Sequence, residues 1–125
     1  MKAQMSIEFM FMVISALMIV VGFLYIFSEY YKDTLAEKKQ TVLYDYGVNL
    51  QREFLLAEEA GKGYRRGFTL PENVDGFRFT VFLEANTLML NYSEAILYFS
   101  IPNTTGNLTQ GYNLIHNEEG QLTLN

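Results

Sequence analysis

An uncharged apolar run of nineteen residues, residues 9–27, constrains the fold more than any other feature of this 125-residue chain. As a helix that rises about 1.5 Å per residue, the run is about 28 Å long, close to the roughly 30 Å hydrocarbon core of a bilayer. The sequence therefore predicts a membrane-spanning helix. Glu8 lies directly before the run, and a carboxylate drawn to the bilayer centre costs about 2.5–3.5 kcal/mol. We expect Glu8 to need either the lipid headgroup region or a partner.

The residues that flank the run do not follow the order of an ordinary secretory signal. Such a signal places a small-residue cleavage site after its apolar stretch. This chain continues instead with the bulky and charged segment Ser28-Glu29-Tyr30-Tyr31, so we expect the run to be retained. The small residue beside the basic end of the run is Ala3, which follows Lys2. The bond between Ala3 and Gln4 is therefore the expected cleavage site.

The segment Lys2-Ala3-Gln4-Met5-Ser6-Ile7-Glu8-Phe9, followed by the apolar run, resembles the processing motif of archaeal type IV pilin-like proteins with class III signal peptides. In that family a basic and a small residue precede Gln-x-Ser-x-Glu-Phe, and Ala3 stands where glycine is usual. The resemblance covers about a quarter of the chain. It implies a membrane-inserted precursor that a prepilin peptidase cuts before Gln4. It also implies an assembly ATPase and a membrane platform protein as partners.

The resemblance assigns a role to Glu8, which would be the fifth residue of the processed chain. In the family this carboxylate is thought to pair with the freed N-terminal amine of a neighbouring subunit, here the amine of Gln4. The pair would hold subunits in register as their helices leave the lipid and pack by van der Waals contact in a filament core. The alternative is that Glu8 simply lies at the membrane interface.

The helical pattern continues beyond the membrane run. Apolar residues at spacings of 7, 4, 4, 4 and 3 predict one buried stripe on an amphipathic helix. The stripe consists of Leu35, Val42, Tyr46, Leu50, Phe54 and Ala57. No proline interrupts residues 4–60, while Gly22 and Gly47 each cost about 1 kcal/mol relative to alanine and can mark a bend or a close contact. Three glycines within residues 61–67 predict the end of the helix and a linker.

Beyond the linker the hydrophobic period changes to two, which indicates strands. The alternating segments are 77–84, 88–92, 95–101, 112–116 and 122–124. About five strands joined by short turns predict an antiparallel meander or a small sandwich. Asp75-Gly76 and Glu118-Glu119-Gly120 are expected to be turns. A sheet of this size is marginal alone, so we expect the helical stripe to complete its core.

The predicted fold class is α+β, with the lollipop-like arrangement of type IV pilins, in which a long N-terminal helix precedes a small antiparallel β domain. The helix would form a filament core and the β domain its outer surface. The predicted segments are a cleaved leader (1–3), a transmembrane and filament-core helix (4–27), its amphipathic continuation (28–60), a linker (61–67) and a β domain (68–125).

Composition argues against several functional classes. The net charge of −5 lies entirely in residues 68–125, where Arg78 alone opposes six carboxylates. An acidic surface argues against nucleic-acid binding, which needs clustered Lys and Arg. The absence of cysteine excludes disulfides, thiolate zinc sites and cysteine nucleophiles, and the single histidine, His116, has no second histidine to share a metal. We therefore expect no metal, no cofactor and no enzymatic activity.

Three N-glycosylation sequons lie within nineteen residues of the distal region, at Asn91, Asn103 and Asn107. None has proline at its middle position. Together they favour a β domain that is exposed outside the cell.

The motif and the sequons together predict the structural subunit of an archaeal type IV-like adhesion pilus. Its precursor would lie in the cell membrane, in contact with lipid, and the processed chain would form an extracellular filament with copies of itself. One alternative is a non-polymerising, single-span anchor that presents an extracellular binding module. Another is a minor or tip subunit of such a filament.

Overall fold

A computed structural model describes all 125 residues, Met1–Asn125. One α-helix, α1 (Lys2–Ala60), precedes nine strands, which confirms the predicted α+β class. The strands are β1 (Arg65–Leu70), β2 (Asn73–Val74), β3 (Phe77–Arg78), β4 (Thr80–Glu84), β5 (Thr87–Tyr92), β6 (Ala95–Ser100), β7 (Thr104–Gly106), β8 (Gly111–Glu118) and β9 (Gln121–Leu124). The chain divides into two compact units, Met1–Lys38 and Lys39–Asn125. The first unit consists of the N-terminal part of α1, and the second contains the rest of α1 and all of the strands.

Helix α1 ends where glycine allows the chain to turn. Gly61 adopts a left-handed φ of +76°, a conformation that favours glycine and commonly terminates helices. Its amide donates to the Glu58 carbonyl at 3.2 Å rather than to Ala57, four residues back. The Ala57 carbonyl instead accepts a hydrogen bond from Asn117 Nδ2 at 2.9 Å. A side chain of β8 thereby satisfies one of the carbonyls that a helix leaves unpaired at its C-terminus.

One face of α1 forms the helical side of the core in the second unit. The buried residues of this face are Leu43, Gly47, Leu50, Phe54 and Ala57. The last three members of the predicted stripe are therefore confirmed, but Leu35 is 42% exposed and Val42 and Tyr46 are only half-buried. Each step of four residues turns a side chain about 40° further round a helix. A stripe of residues spaced four apart therefore moves away from the buried face of the helix. The residues that are buried are spaced alternately four and three apart.

The strands form two main sheets and one short hairpin. Strands β4, β5 and β6 form the predicted antiparallel meander, in that order. The second main sheet has the order β1-β8-β9-β7, and β2 pairs only with β3. The expectation of a wholly antiparallel domain is wrong at one place, because β7 runs parallel to β9. Gly106 permits this pairing, since a Cβ at this position would overlap the Leu124 backbone.

Strand β1 begins at Arg65, inside the segment 61–67 that was predicted as a linker. Even before Arg65 the chain is tied to β8, because the Asn117 amide donates to the Tyr64 carbonyl at 2.9 Å. Arg66 also forms an ion pair with Glu53 of α1, with 3.1 Å between Nε and Oε2. Glycine and arginine give this segment no alternating apolar pattern, so its strand depends on the partner that β8 supplies.

Four hairpins have two-residue turns, among them Asp75-Gly76 and Glu119-Gly120. The φ angles are +52° and +82° in the first turn and +55° and +89° in the second. Positive φ at both positions defines the type I′ turn, whose twist matches that of the strands it joins. The predicted turn at Asp75-Gly76 is confirmed, whereas the predicted turn at Glu118-Glu119-Gly120 is confirmed only for its last two residues, because Glu118 ends β8.

The buried face of β8 is more polar than a simple alternation predicts. The predicted strand 112–116 lies in β8, but the buried residues are Asn113, Ile115 and Asn117. Asn113 Nδ2 donates to the Thr109 carbonyl at 2.7 Å, and its Oδ1 accepts from the Thr109 amide at 2.9 Å. A buried amide is tolerated when it is hydrogen-bonded in this way.

Candidate functional site

The residues predicted for processing and subunit pairing lie in the first turns of α1. The helix begins at Lys2, and Ala3, Gln4 and Glu8 are all exposed. Residues four apart share one face of a helix, so Gln4 and Glu8 project on the same side. Cleavage before Gln4 would therefore leave a new backbone amine about one helical turn before the Glu8 carboxylate.

The apolar run is exposed along its whole length. Phe9 and Phe27, at its ends, expose 66% and 68% of their surface, and no residue between them is buried. Soluble monomers rarely expose contiguous apolar patches larger than a few hundred Å². Helix α1 is long and apolar enough in this part to cross a membrane. The first unit can therefore be covered by lipid or by other apolar helices.

Polar and small residues recur every seven positions along this part of α1. They are Glu8, Ser15, Gly22 and Glu29. A repeat of seven drifts only about 20° per step round a helix, so the four residues follow one line. Ser15 Oγ donates to the Phe11 carbonyl at 2.8 Å, and a Cβ added at Gly22 would meet nothing within 4 Å. Small residues of this kind allow a second helix to approach closely in a membrane.

The three sequon asparagines differ in accessibility. Asn103 precedes β7, Asn107 follows it, and both are exposed. Asn91 is half-buried on β5, the central strand of its sheet. Attachment of a glycan to folded protein would be least hindered at Asn103 and Asn107, and glycosylation at these sequons stays a prediction.

The second unit contains a polar cleft with a volume of about 700 Å³. Phe79 and Tyr92 also border it, but they are only 5% and 8% exposed. The side chains that carry charge or hydrogen-bonding groups around it are Lys39, Glu72, Arg78, Thr80, Asn91, Ser93 and Gln110. They come from α1, β3, β4, β5 and three connecting segments. No local motif unites these residues, so the site could not be predicted from the sequence.

Lys39 forms one wall of the cleft and is held by its own chain. Its Nζ lies 2.8 Å from Glu94 Oε2, hydrogen-bonds to Ser93 Oγ and lies 5.7 Å from the centroid of the Tyr92 ring. Hydrogen bonds from Lys39 and Ser93 hold the pKa of the Glu94 carboxyl below its usual range. Lys39 is therefore already neutralised, whereas Arg78 has no carboxylate partner in this chain.

His116 lies on β8, as predicted, and away from the residues that line the cleft. Its Nε2 is 3.7 Å from Glu118 Oε1, and its buried Nδ1 has no hydrogen-bond partner. These contacts place it beside the Glu119-Gly120 turn.

No protein-family model matches the chain, and searches of curated proteins and of solved structures find no match. The likeness to pilin-like proteins therefore rests on residues 2–9 and the run that follows them. The structure agrees with it coarsely, in that a long apolar N-terminal helix precedes a small β domain.

Proposed function

We propose that this protein is the structural subunit, a pilin, of an archaeal type IV-like adhesion pilus. A prepilin peptidase cuts the membrane precursor before Gln4. An assembly ATPase and a membrane platform protein then polymerise the processed chains into an extracellular filament. Residues 4–27 form the filament core, the β domain forms the outer surface, and the subunit has no enzymatic activity.

The observation that carries this proposal is the combination of motif and surface at the start of α1. A lipid anchor needs only an apolar surface, which residues 9–27 supply. Glu8 and Gln4 on one face, continued by the small residues Ser15 and Gly22, add features that serve helix-to-helix assembly. A carboxylate so close to hydrocarbon is stabilised by a cationic partner. The amine of a processed Gln4 in a neighbouring chain supplies one.

The substitution Glu8→Val tests the assembly role. It removes the carboxylate but leaves the residues on both sides of the Ala3–Gln4 bond, so we expect processing to continue and filaments to be lost. Glu29→Val is a matched control, because Glu29 lies on the same helix line at the other end of the run, outside the motif. Electron microscopy and the amount of subunit in sheared extracellular material measure assembly. Wild-type-like filaments from the Glu8→Val chain would refute the role of Glu8.

Mass spectrometry of the N-terminal peptide tests the function as a whole. Subunits in sheared extracellular material are expected to begin at Gln4. A chain that begins at Met1 and occurs only in membranes would instead indicate an anchored, non-polymerising protein.

The second candidate function is that anchored binding module, and the polar cleft of the second unit favours it. A cleft with unpaired polar side chains can hold a ligand whether or not the chain polymerises. A minor or tip subunit shares these features and would be distinguished by its low abundance relative to the major filament protein.

A further inference from the structure

We infer that the cleft between α1, β3 and β5 binds an acidic saccharide, in which Arg78 pairs with a carboxylate of the ligand and Asn91, Gln110 and Glu72 hydrogen-bond to its hydroxyl groups. This site does not depend on filament assembly. It would serve the β domain of a pilus subunit or of an anchored binding module equally.

The strand geometry places the key side chains on one open face. Phe79 is buried, so its neighbours Arg78 and Thr80 project outward, as alternation along extended chain requires. Thr80 is paired directly with Asn91 across β4 and β5. Asn91 precedes the buried Tyr92 and so lies on the same outward face. The backbone pairing therefore fixes Arg78, Thr80 and Asn91 as adjacent parts of one surface.

The hydrogen-bonding groups of this surface have no partners within the chain. The side chains of Glu72, Arg78, Asn91 and Gln110 make no hydrogen bond or ion pair, whereas Lys39 in the opposite wall is paired with Glu94. Arg78 is also the only Lys or Arg in residues 68–125. Arg78 is therefore the cationic group of this surface that is available to pair with a carboxylate of a ligand.

The mixture of charges selects the class of ligand. Arg78 offers a planar fork of donors that suits a carboxylate or a phosphate. Glu72 stands at the same cleft and would repel a densely charged polyanion, but it accepts hydrogen bonds from hydroxyl groups. The amides of Asn91 and Gln110 both donate and accept, as hydroxyl pairs do. One carboxylate surrounded by several hydroxyl groups, the chemistry of a uronic acid, satisfies all four side chains.

The size of the cleft suits an oligosaccharide. Its volume of about 700 Å³ lies within the roughly 300–1,000 Å³ of small-molecule sites.

Calorimetric titration of the full-length chain in detergent micelles with trigalacturonate tests the inference. We expect binding by the wild type, at least about tenfold weaker binding after Arg78→Gln, and no binding of the neutral trisaccharide maltotriose. Arg65→Gln is the matched control, because Arg65 is also an exposed strand arginine without an ion pair but lies outside the cleft. It should bind like the wild type.

Three results would overturn the inference: no binding of trigalacturonate, equal affinity for maltotriose, or equal affinity of the Arg78→Gln and wild-type chains. A short oligoglutamate that binds more tightly than trigalacturonate would reassign the cleft to an acidic peptide. A glycan found by mass spectrometry on Asn91 would fill the cleft and also exclude a free ligand.

The acidic saccharide can come from a free polysaccharide or from a glycan on another copy of the chain. The double variant Asn103→Gln, Asn107→Gln separates these sources. If glycans of neighbouring copies occupy the cleft, the glycosylated wild type binds trigalacturonate more weakly than the double variant. If the ligand is a free polysaccharide, the two proteins bind it equally.

Discussion

Replacement of Asn117 should be among the most damaging polar substitutions in the second unit. This side chain is 2% exposed and joins two elements that are distant in sequence. Its Nδ2 donates to the Ala57 carbonyl of α1 at 2.9 Å, and its Oδ1 accepts from the Gly120 amide of the β8–β9 turn at 3.1 Å. Asn117→Ala removes both bonds and leaves both backbone groups in place.

The expected loss follows from how each orphaned group is solvated. An unsatisfied buried polar group costs about 1–3 kcal/mol. Ala57 is fully buried, so its carbonyl bears this penalty, whereas Gly120 is exposed and its amide can bond to water. With about 0.5–1.5 kcal/mol more for the lost bond to the Gly120 amide, we expect Asn117→Ala to destabilise the unit by about 1.5–4.5 kcal/mol. A unit of 87 residues, Lys39–Asn125, has a stability of about 4–13 kcal/mol, so this loss is large.

The substitution Asn117→Asp distinguishes the contributions of the two hydrogen bonds, because it can keep only one of them. Aspartate can still accept from the Gly120 amide, but its second oxygen faces the Ala57 carbonyl and brings a charge into a buried place. We expect it to destabilise the unit at least as much as Asn117→Ala. Asn86→Ala is the control, because Asn86 is an exposed turn residue.

Urea unfolding of the full chain in micelles, followed by tyrosine circular dichroism, measures these losses. Hydrogen exchange at the Gly120 amide should accelerate in Asn117→Ala and stay slow in Asn117→Asp under native conditions. A loss below about 0.5 kcal/mol for Asn117→Ala would show that Asn117 does not stabilise the end of α1 and that the Ala57 carbonyl is not left unsatisfied without it.

Gly47→Ala should destabilise the second unit by about 1–3 kcal/mol although alanine favours helices, because a Cβ at Gly47 would overlap the Phe99 ring. Gly22→Ala, where a Cβ meets nothing within 4 Å, is the matched control, and equal unfolding curves for the two variants would contradict the close packing. Burial raises the pKa of Tyr46 to about 12, so the folded chain keeps this proton at a pH where the unfolded chain loses it. Stability should therefore fall as the pH rises from about 10 to 12, by about 1–2 kcal/mol because the ring is partly solvated, and Tyr46→Phe should remove this part of the alkaline loss. An alkaline unfolding profile unchanged by Tyr46→Phe would show that this phenol does not contribute.

Those elements that depend on local pattern could be predicted from the sequence. A proline-free stretch with a long apolar run permits little besides a helix, and α1 has that form. Leu88, Leu90 and Tyr92 alternate along a strand and are all buried in β5. The type I′ turns follow from glycine after an acidic residue between two strands.

Other features depend on partners distant in sequence. The parallel pairing of β7 with β9 could not be predicted, because Thr104–Gly106 has no apolar pattern and its strand pairing depends on the distant segment Gln121–Leu124. The buried face of α1 likewise depends on the contact between Phe99 and Gly47. Gly22 has no such contact, and the sequence does not distinguish these two helical glycines.

The sequence by itself determined the long helix with its membrane-compatible run, the processing-type motif around Gln4 and Glu8, and a β domain that carries the net negative charge. These depend on composition and periodicity over neighbouring residues, which any chain with this pattern retains. Only the tertiary structure decided that Asn117 hydrogen-bonds to a carbonyl in the last turn of α1 and that Arg78, Asn91 and Gln110 line one cleft. Hydrogen bonds and clefts of this kind form between segments that meet only after the sheets have assembled.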